Sequence, residues 1–123
     1  MSTYMLILRR NQAEELGQPQ KEMFNRFRDF TVALQKSGAL KGFERLKPGA
    51  EGKTARNHDG AITIEGPYAD SNGSAAGSHE SVIGFYLIEA ADEAAVHVIA
   101  KDCPILRAGG SVEIRETEFF PGQ

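Results

Sequence analysis

Two runs constrain this chain most: Tyr4-Met-Leu-Ile-Leu8 and Val82-Ile-Gly-Phe-Tyr-Leu-Ile88, apolar at successive positions and broken only by Gly84. A strand with one wet face alternates apolar and polar residues, so uninterrupted apolar runs of this length describe strands buried on both faces. The first, ending at Arg9-Arg10, is expected to lie centrally in a sheet, with the second as its neighbour. A helical stripe follows each. After the first, Met23, Phe27, Phe30 and Leu34 recur at three- and four-residue spacing with Phe24 and Thr31 flanking, and Gly38 supplies a left-handed stop. Its phenylalanines can line a ligand pocket or, more ordinarily, pack against a sheet. After the second, Ala95, Val96, Ile99, Ala100 and Cys103 mark a shorter helix within 91–102, ended by Pro104.

Leu40 to Leu46 reads as another strand, broken by the turn residues Lys47 to Gly52. Lys53 to Asn57 is extended, Asp59-Gly60 is a two-residue hairpin signal, and Ala61 to Glu65 returns. A last strand, Ser111 to Thr117, alternates after Gly109-Gly110, and Phe119-Phe120 could pack as an apolar tail. Right-handed crossovers then place both helices on one face of a mainly antiparallel sheet, a ferredoxin-like α+β fold in a single domain over 1–123. Helices on one face leave the other needing cover. A second copy would supply it, giving a two-fold homodimer whose sheets face each other as a dimeric α+β barrel.

At 41% hydrophobic and 25% charged residues the chain resembles an ordinary soluble domain, and a net charge of −3 argues against broad nucleic-acid binding. No segment approaches the length of a bilayer span, and Tyr4–Leu8 is too short for a signal-peptide core. Cys103, the single cysteine, excludes an intrachain disulfide and reads as a buried small hydrophobe, so a cytoplasmic location is expected. There is no metal or nucleotide motif, hence no expected cofactor.

Chemistry concentrates first at Ile62-Thr-Ile-Glu-Gly-Pro-Tyr-Ala-Asp70. An alternating strand runs into Gly66, which tolerates backbone angles closed to other residues, and Pro67, which cannot donate to a ladder. Glu65 and Tyr68 are thereby delivered to a strand end, where small-molecule sites often sit. Thr63 shares a face with Glu65, Glu113 and Thr117 share one with Arg115, and Tyr86 with Gly84 can lie between them. Glu65 or Glu113 near Arg115 would form a charge-assisted pair able to hold a carboxylate or phenol, or to serve as a base; a structural salt bridge at a dimer edge is the alternative. Asp70 to Ser81, almost all small and polar, reads as a mobile loop, either a lid or a tolerated insertion. His79-Glu80 near its end lacks a third ligand or orienting partner. His58 is expected to be exposed beside its turn, and His97 on a helix surface.

With these residues in view the chain resembles the YCII-related family, in particular its DGPF-type branch. The matching parts are Tyr4–Leu8, Glu65-Gly66-Pro67-Tyr68-Ala69-Asp70 where that branch has Asp-Gly-Pro-Phe-Ala-Glu, Gly84 to Glu89, Ala100 to Pro104 and Gly110 to Arg115. The resemblance implies a dimeric α+β barrel, and by analogy with some relatives an association with sigma factors. Other relatives resemble small lyases or dehalogenases with a histidine–aspartate dyad. Asp102 falls where the family often places its acid, but the Met23–Leu34 helix has no histidine. Three functions follow as expectations, the last a purely structural partner of another protein. The first is a small-molecule-binding or accessory regulatory dimer holding an anionic or aromatic ligand at Glu65, Tyr68, Tyr86, Glu113 and Arg115. The second is a cofactor-independent lyase or isomerase with a carboxylate, Glu65 or Asp102, as base and Arg115 stabilising enolate-like charge.

Overall fold

The computed structural model describes residues 1–11, 20–68, 80–118 and 121–122. In chain order they form β1 (Ser2–Asn11), α1 (Gln20–Ser37), β2 (Leu40–Arg45), β3 (Thr54–His58), β4 (Ala61–Glu65), β5 (Glu80–Ala90), α2 (Glu93–Lys101) and β6 (Ser111–Glu116). The two apolar runs become β1 and β5, the inner strands of a four-stranded sheet ordered β2-β5-β1-β6 with every neighbouring pair antiparallel. β1 and β2 therefore run parallel across the crossover α1, and β5 and β6 across α2, as the expected pair of split β-α-β units requires.

Register decides which side chains meet the helices. Leu6 stands between Tyr86 and Ile114, and Tyr4 between Ile88 and Glu116. Tyr4, Leu6 and Leu8 of β1 and Tyr86 and Ile88 of β5 are buried in one cluster with Leu34 of α1 and Val96 and Ala100 of α2. Leu6, Ile88, Val96 and Ile105 are wholly removed from solvent, which is worth about 1.5–3 kcal/mol for each such side chain. Asp92 caps α2 by accepting the Ala95 N–H at 2.9 Å. Gly38 ends α1 at φ 82°, in the left-handed conformation its position suggested.

The barrel expectation does not hold. The sheet is neither closed nor curled; it is open, with β2 and β6 as its edges. Closure would need strongly tilted strands whose hydrogen bonds continue around the ring, and here the ladder stops at both edge strands. Met5, Ile7, Phe85 and Leu87, on the face away from the helices, are half-buried by their neighbours alone. Apolar residues on both sides of a strand signal a face that is not polar; they carry no information about the curvature of the sheet beneath it.

β3 and β4 form a separate two-stranded sheet, pairing with no other strand among the described residues. Its turn, Asp59-Gly60, has φ of 53° and 96°, the primed hairpin geometry that an Asp-Gly pair favours. Ile62 and Ile64 on its apolar side are 67% and 70% exposed. Gly66, beyond it, is not among the glycines at positive φ, so the left-handed freedom expected of it is not used. Glu80 and Ser81 open β5 instead of finishing a loop; His79, the preceding part of the 70–81 segment and Phe119-Phe120 lie outside the described residues.

Candidate functional site: a cavity beneath the first helix

Gly84 interrupts the helix-facing row of β5 side chains, and the backbone of β2 takes the space a side chain would fill. A Cβ there would lie 2.7 Å from the Glu44 carbonyl oxygen and 3.4 Å from the Arg45 Cα, so only glycine permits β2 to approach β5 this closely. The approach brings Phe43 of β2 against Tyr86 of β5, ring centroids 5.7 Å apart and planes 16° from parallel, while Phe30 of α1 meets Tyr86 edge-on at 5.3 Å. Beside this contact a cavity of about 460 Å³ opens between α1 and the sheet, with Met23, Phe27, Phe43, Gly84 and Tyr86 in its walls.

The polar content of this cavity is specific. Among the described residues Arg10, Arg28 and Arg45 line it, against one lining carboxylate, Glu44. Arg10 is buried, at 7% exposure. Thr31 and Tyr86 contribute a buried hydroxyl pair 2.7 Å apart. Burial pushes the Tyr86 phenol above its ordinary pKa, so it stays protonated at neutral pH.

The residues nominated from sequence are distributed over four places. Glu65 and Tyr68 belong to the β3–β4 hairpin and its exit. There Thr63 donates to Glu65 Oε2 at 2.7 Å, His58 Nε2 lies 2.5 Å from the same oxygen, and Arg56 Nε is 3.3 Å from Oε1. Hydrogen bonds from Thr63 and His58, then the charges of His58 and Arg56, hold the Glu65 carboxyl below its usual range. A carboxylate so well satisfied is a weak base. The Arg56 guanidinium stands over the Tyr68 ring at 5.2 Å and donates to the Tyr68 carbonyl, leaving that side chain exposed. His58, expected to be merely exposed, is therefore part of this cluster.

Glu113 and Arg115 lie on the bare face of the sheet. Glu113 accepts from Arg9 at 2.6 Å, and Arg115 Nε is 3.8 Å from its other oxygen. Tyr86 is on the opposite face, inside the cavity, so the structure does not bring it together with them. Asp102 follows the last turn of α2, where its backbone N–H bonds the Ile99 and Ala100 carbonyls, and it takes no part in the cavity lining. His97 pairs with Glu93 at 3.7 Å on the helix surface. Cys103 is buried, its thiol pushed up to about 11 by desolvation.

Sequence reasoning missed Arg10, Thr31 and Phe43 as a group. Two signals could have found them: Arg10 keeps the two-residue phase of Tyr4, Leu6 and Leu8, which aims it at the helices, and a glycine interrupts an otherwise bulky strand. Among the described residues no three His, Cys, Asp or Glu side chains gather to hold a metal, and no helix is long and apolar enough to cross a membrane. No curated protein matches the chain. A family profile described as the YCII-related domain matches residues 2–120, nearly end to end, and includes the strands and helix that form the cavity. The chain belongs to the YCII-related family.

Proposed function

We propose that this protein binds a small molecule in the cavity beneath α1, and that the ligand has an aromatic or otherwise apolar body ending in an anionic group. The observation that carries this reading is the pairing of aromatic walls with a lining that, among the described residues, holds three arginines and one glutamate, in about 460 Å³, a size typical of metabolite sites. An anion near Arg10 would interact in surroundings of low dielectric, where a guanidinium–carboxylate contact is stronger than in water. The carboxylate-base alternative is weaker, because Glu65 is engaged on the hairpin and Asp102 lies outside the cavity lining.

A regulatory, non-catalytic role in the cytoplasm fits a binding site of this kind. We assign the bare face, with Met5, Ile7, Phe85 and Leu87 rimmed by the Arg9–Glu113 and Lys41–Glu89 pairs, to a second copy of the chain in an open, non-barrel homodimer. We also assign the chain to the DGPF-type branch, on Glu65 to Asp70. The test is a thermal-shift titration with 2-naphthoate and its neutral counterpart 2-naphthamide, on the wild type and on Arg45→Ala. Saturable stabilisation by the acid, weaker with the amide and weaker in the variant, is expected. Equal response to acid and amide would remove the anion requirement. No stabilisation by either would refute the cavity as a binding site and turn attention to a protein partner such as a sigma factor.

A further inference from the structure

The hydroxyl pair in the cavity wall has a direction. Thr31 Oγ1 lies 2.7 Å from the Phe27 carbonyl oxygen and 2.7 Å from the Tyr86 hydroxyl. A threonine hydroxyl has one proton and a carbonyl has none, so the proton between Thr31 and Phe27 belongs to Thr31. Otherwise two oxygens bearing only lone pairs would face each other at hydrogen-bond distance. Having donated to Phe27, Thr31 can only accept from Tyr86. The sequence of donors is therefore Tyr86 O–H to Thr31 Oγ1, then Thr31 O–H to the Phe27 carbonyl.

What Tyr86 then offers the cavity is a lone pair. Its single proton is committed to Thr31, and burial keeps the phenol from ionising, so it presents neither a donor nor a charge. The ring cannot swing away to change this, because Phe43 stacks on it and Phe30 meets it edge-on. A bound molecule placing an ether, carbonyl or carboxylate oxygen against Tyr86 would set acceptor against acceptor. One carrying a hydroxyl or N–H there would complete the chain of bonds.

We propose that Thr31 and Tyr86 are specificity-determining residues, and that the cavity selects anions whose apolar body also carries a hydrogen-bond donor: hydroxyaryl or N–H heteroaryl acids, over their ethers and unsubstituted counterparts. This rests on the binding reading above and adds to it a second polar requirement, distinct from the arginines. Thr31 is the residue that sets the sign. Replacing it by valine keeps the shape, removes the acceptor that holds the Tyr86 proton, and turns that proton toward the cavity.

The experiment measures dissociation constants by fluorescence for 6-hydroxy- and 7-hydroxy-2-naphthoate and for the corresponding methyl ethers. The readout is the ether-to-hydroxyl ratio for each position. The wild type should favour at least one hydroxy acid by about tenfold, the usual scale for leaving a buried polar group unpaired. Thr31→Ser, which keeps the hydroxyl, should preserve the ratio. Thr31→Val should reverse it in favour of the ether, and Tyr86→Phe should bring it to about one. Binding of all four with the same ratio in wild type, Thr31→Val and Tyr86→Phe would overturn the donor assignment while leaving the cavity as a binding site. A wild-type preference for the ethers would overturn it as well. Failure of every naphthoate to bind would overturn the binding reading and this inference together.

Discussion

Gly84→Ala places one methyl group where the structure leaves no room for it. The new Cβ would sit 2.7 Å from the Glu44 carbonyl oxygen and 3.4 Å from the Arg45 Cα. Both are backbone atoms of β2, so no side-chain rotation relieves the contact and the edge strand must retreat. Overpacking of this kind costs about 1–3 kcal/mol. Part of it, roughly 0.4–1 kcal/mol, is offset because alanine has less freedom to lose on folding than glycine. A 2.7 Å contact with backbone belongs in the upper half of that range, so a net destabilisation of about 1–2 kcal/mol is expected, and for a chain of this size that lowers the melting temperature by roughly 3–12 °C. In urea the midpoint should fall with an unchanged slope, since the surface exposed on unfolding is the same. Because β2 holds Phe43 against Tyr86, 2-naphthoate binding should weaken too. Gly66→Ala is the control: nothing lies within 4 Å of its would-be Cβ, and its melting should stay near wild type. A Gly84→Ala protein that melts within 1 °C of wild type (about 0.3 kcal/mol at most) would refute the claim that glycine sets the approach of β2.

Glu65 is held ionised by its partners, so its folded pKa lies below the ordinary 4.5, and the stability this contributes is present above 4.5 and lost as pH falls through the lowered value. An NMR titration of the hairpin amides should show a midpoint below 4.5 that disappears in Glu65→Gln; a midpoint at or above 4.5 would contradict the network. Cys103 behaves in the opposite sense: its folded pKa is raised from 9.0 to about 11, so stability should decline from pH 9 upward, by up to roughly 3 kcal/mol over the two units. Urea titrations at pH 8 and pH 10.5 should show a smaller difference for Cys103→Ala than for wild type, and equal differences would count against the burial argument. Leu87→Asp, on the bare sheet face, should convert a dimer to a monomer in sedimentation at micromolar concentration; a wild-type monomer under the same conditions would remove the homodimer.

The scaffold was legible because its signals are local. The spacing of Met23, Phe27, Phe30 and Leu34 requires a helix, two apolar runs require inner strands, and Asp59-Gly60 requires a hairpin turn. The site was less legible because it depends on register. Tyr86 pairs with Leu6, which pairs with Ile114, and this puts Tyr86 on the helix side while Glu113 and Arg115 look the other way. A slip of one residue reverses such an assignment, and nothing within a single strand fixes it. β1 even shifts register against β5 between Leu8 and Arg9. Arg10 was hidden for a related reason: beside Arg9 it reads as the solvated end of a strand, and only the parity it shares with Leu8 separates the two. The hydroxyl chain joins residues 55 positions apart and has no sequence signature at all.

The hairpin of β3 and β4 shares no ladder with the main sheet among the described residues, and its isoleucines face outward. A two-stranded ribbon without an apolar backing is marginal by itself, and the contacts of Glu65 with Thr63, His58 and Arg56 are solvent-exposed and add only modestly to it. The molecule should therefore come apart in two tiers: the ribbon opens at a small fraction of the free energy needed to separate β1 from β5. Amides of Arg56 and Ile64 would exchange with solvent long before those of Leu6 and Ile88. An insertion at Asp59-Gly60 would be tolerated, since the four-stranded sheet and both helices close without that turn. The ribbon is in this sense an appendage free to diverge, while the cavity is tied to the most slowly exchanging part of the chain.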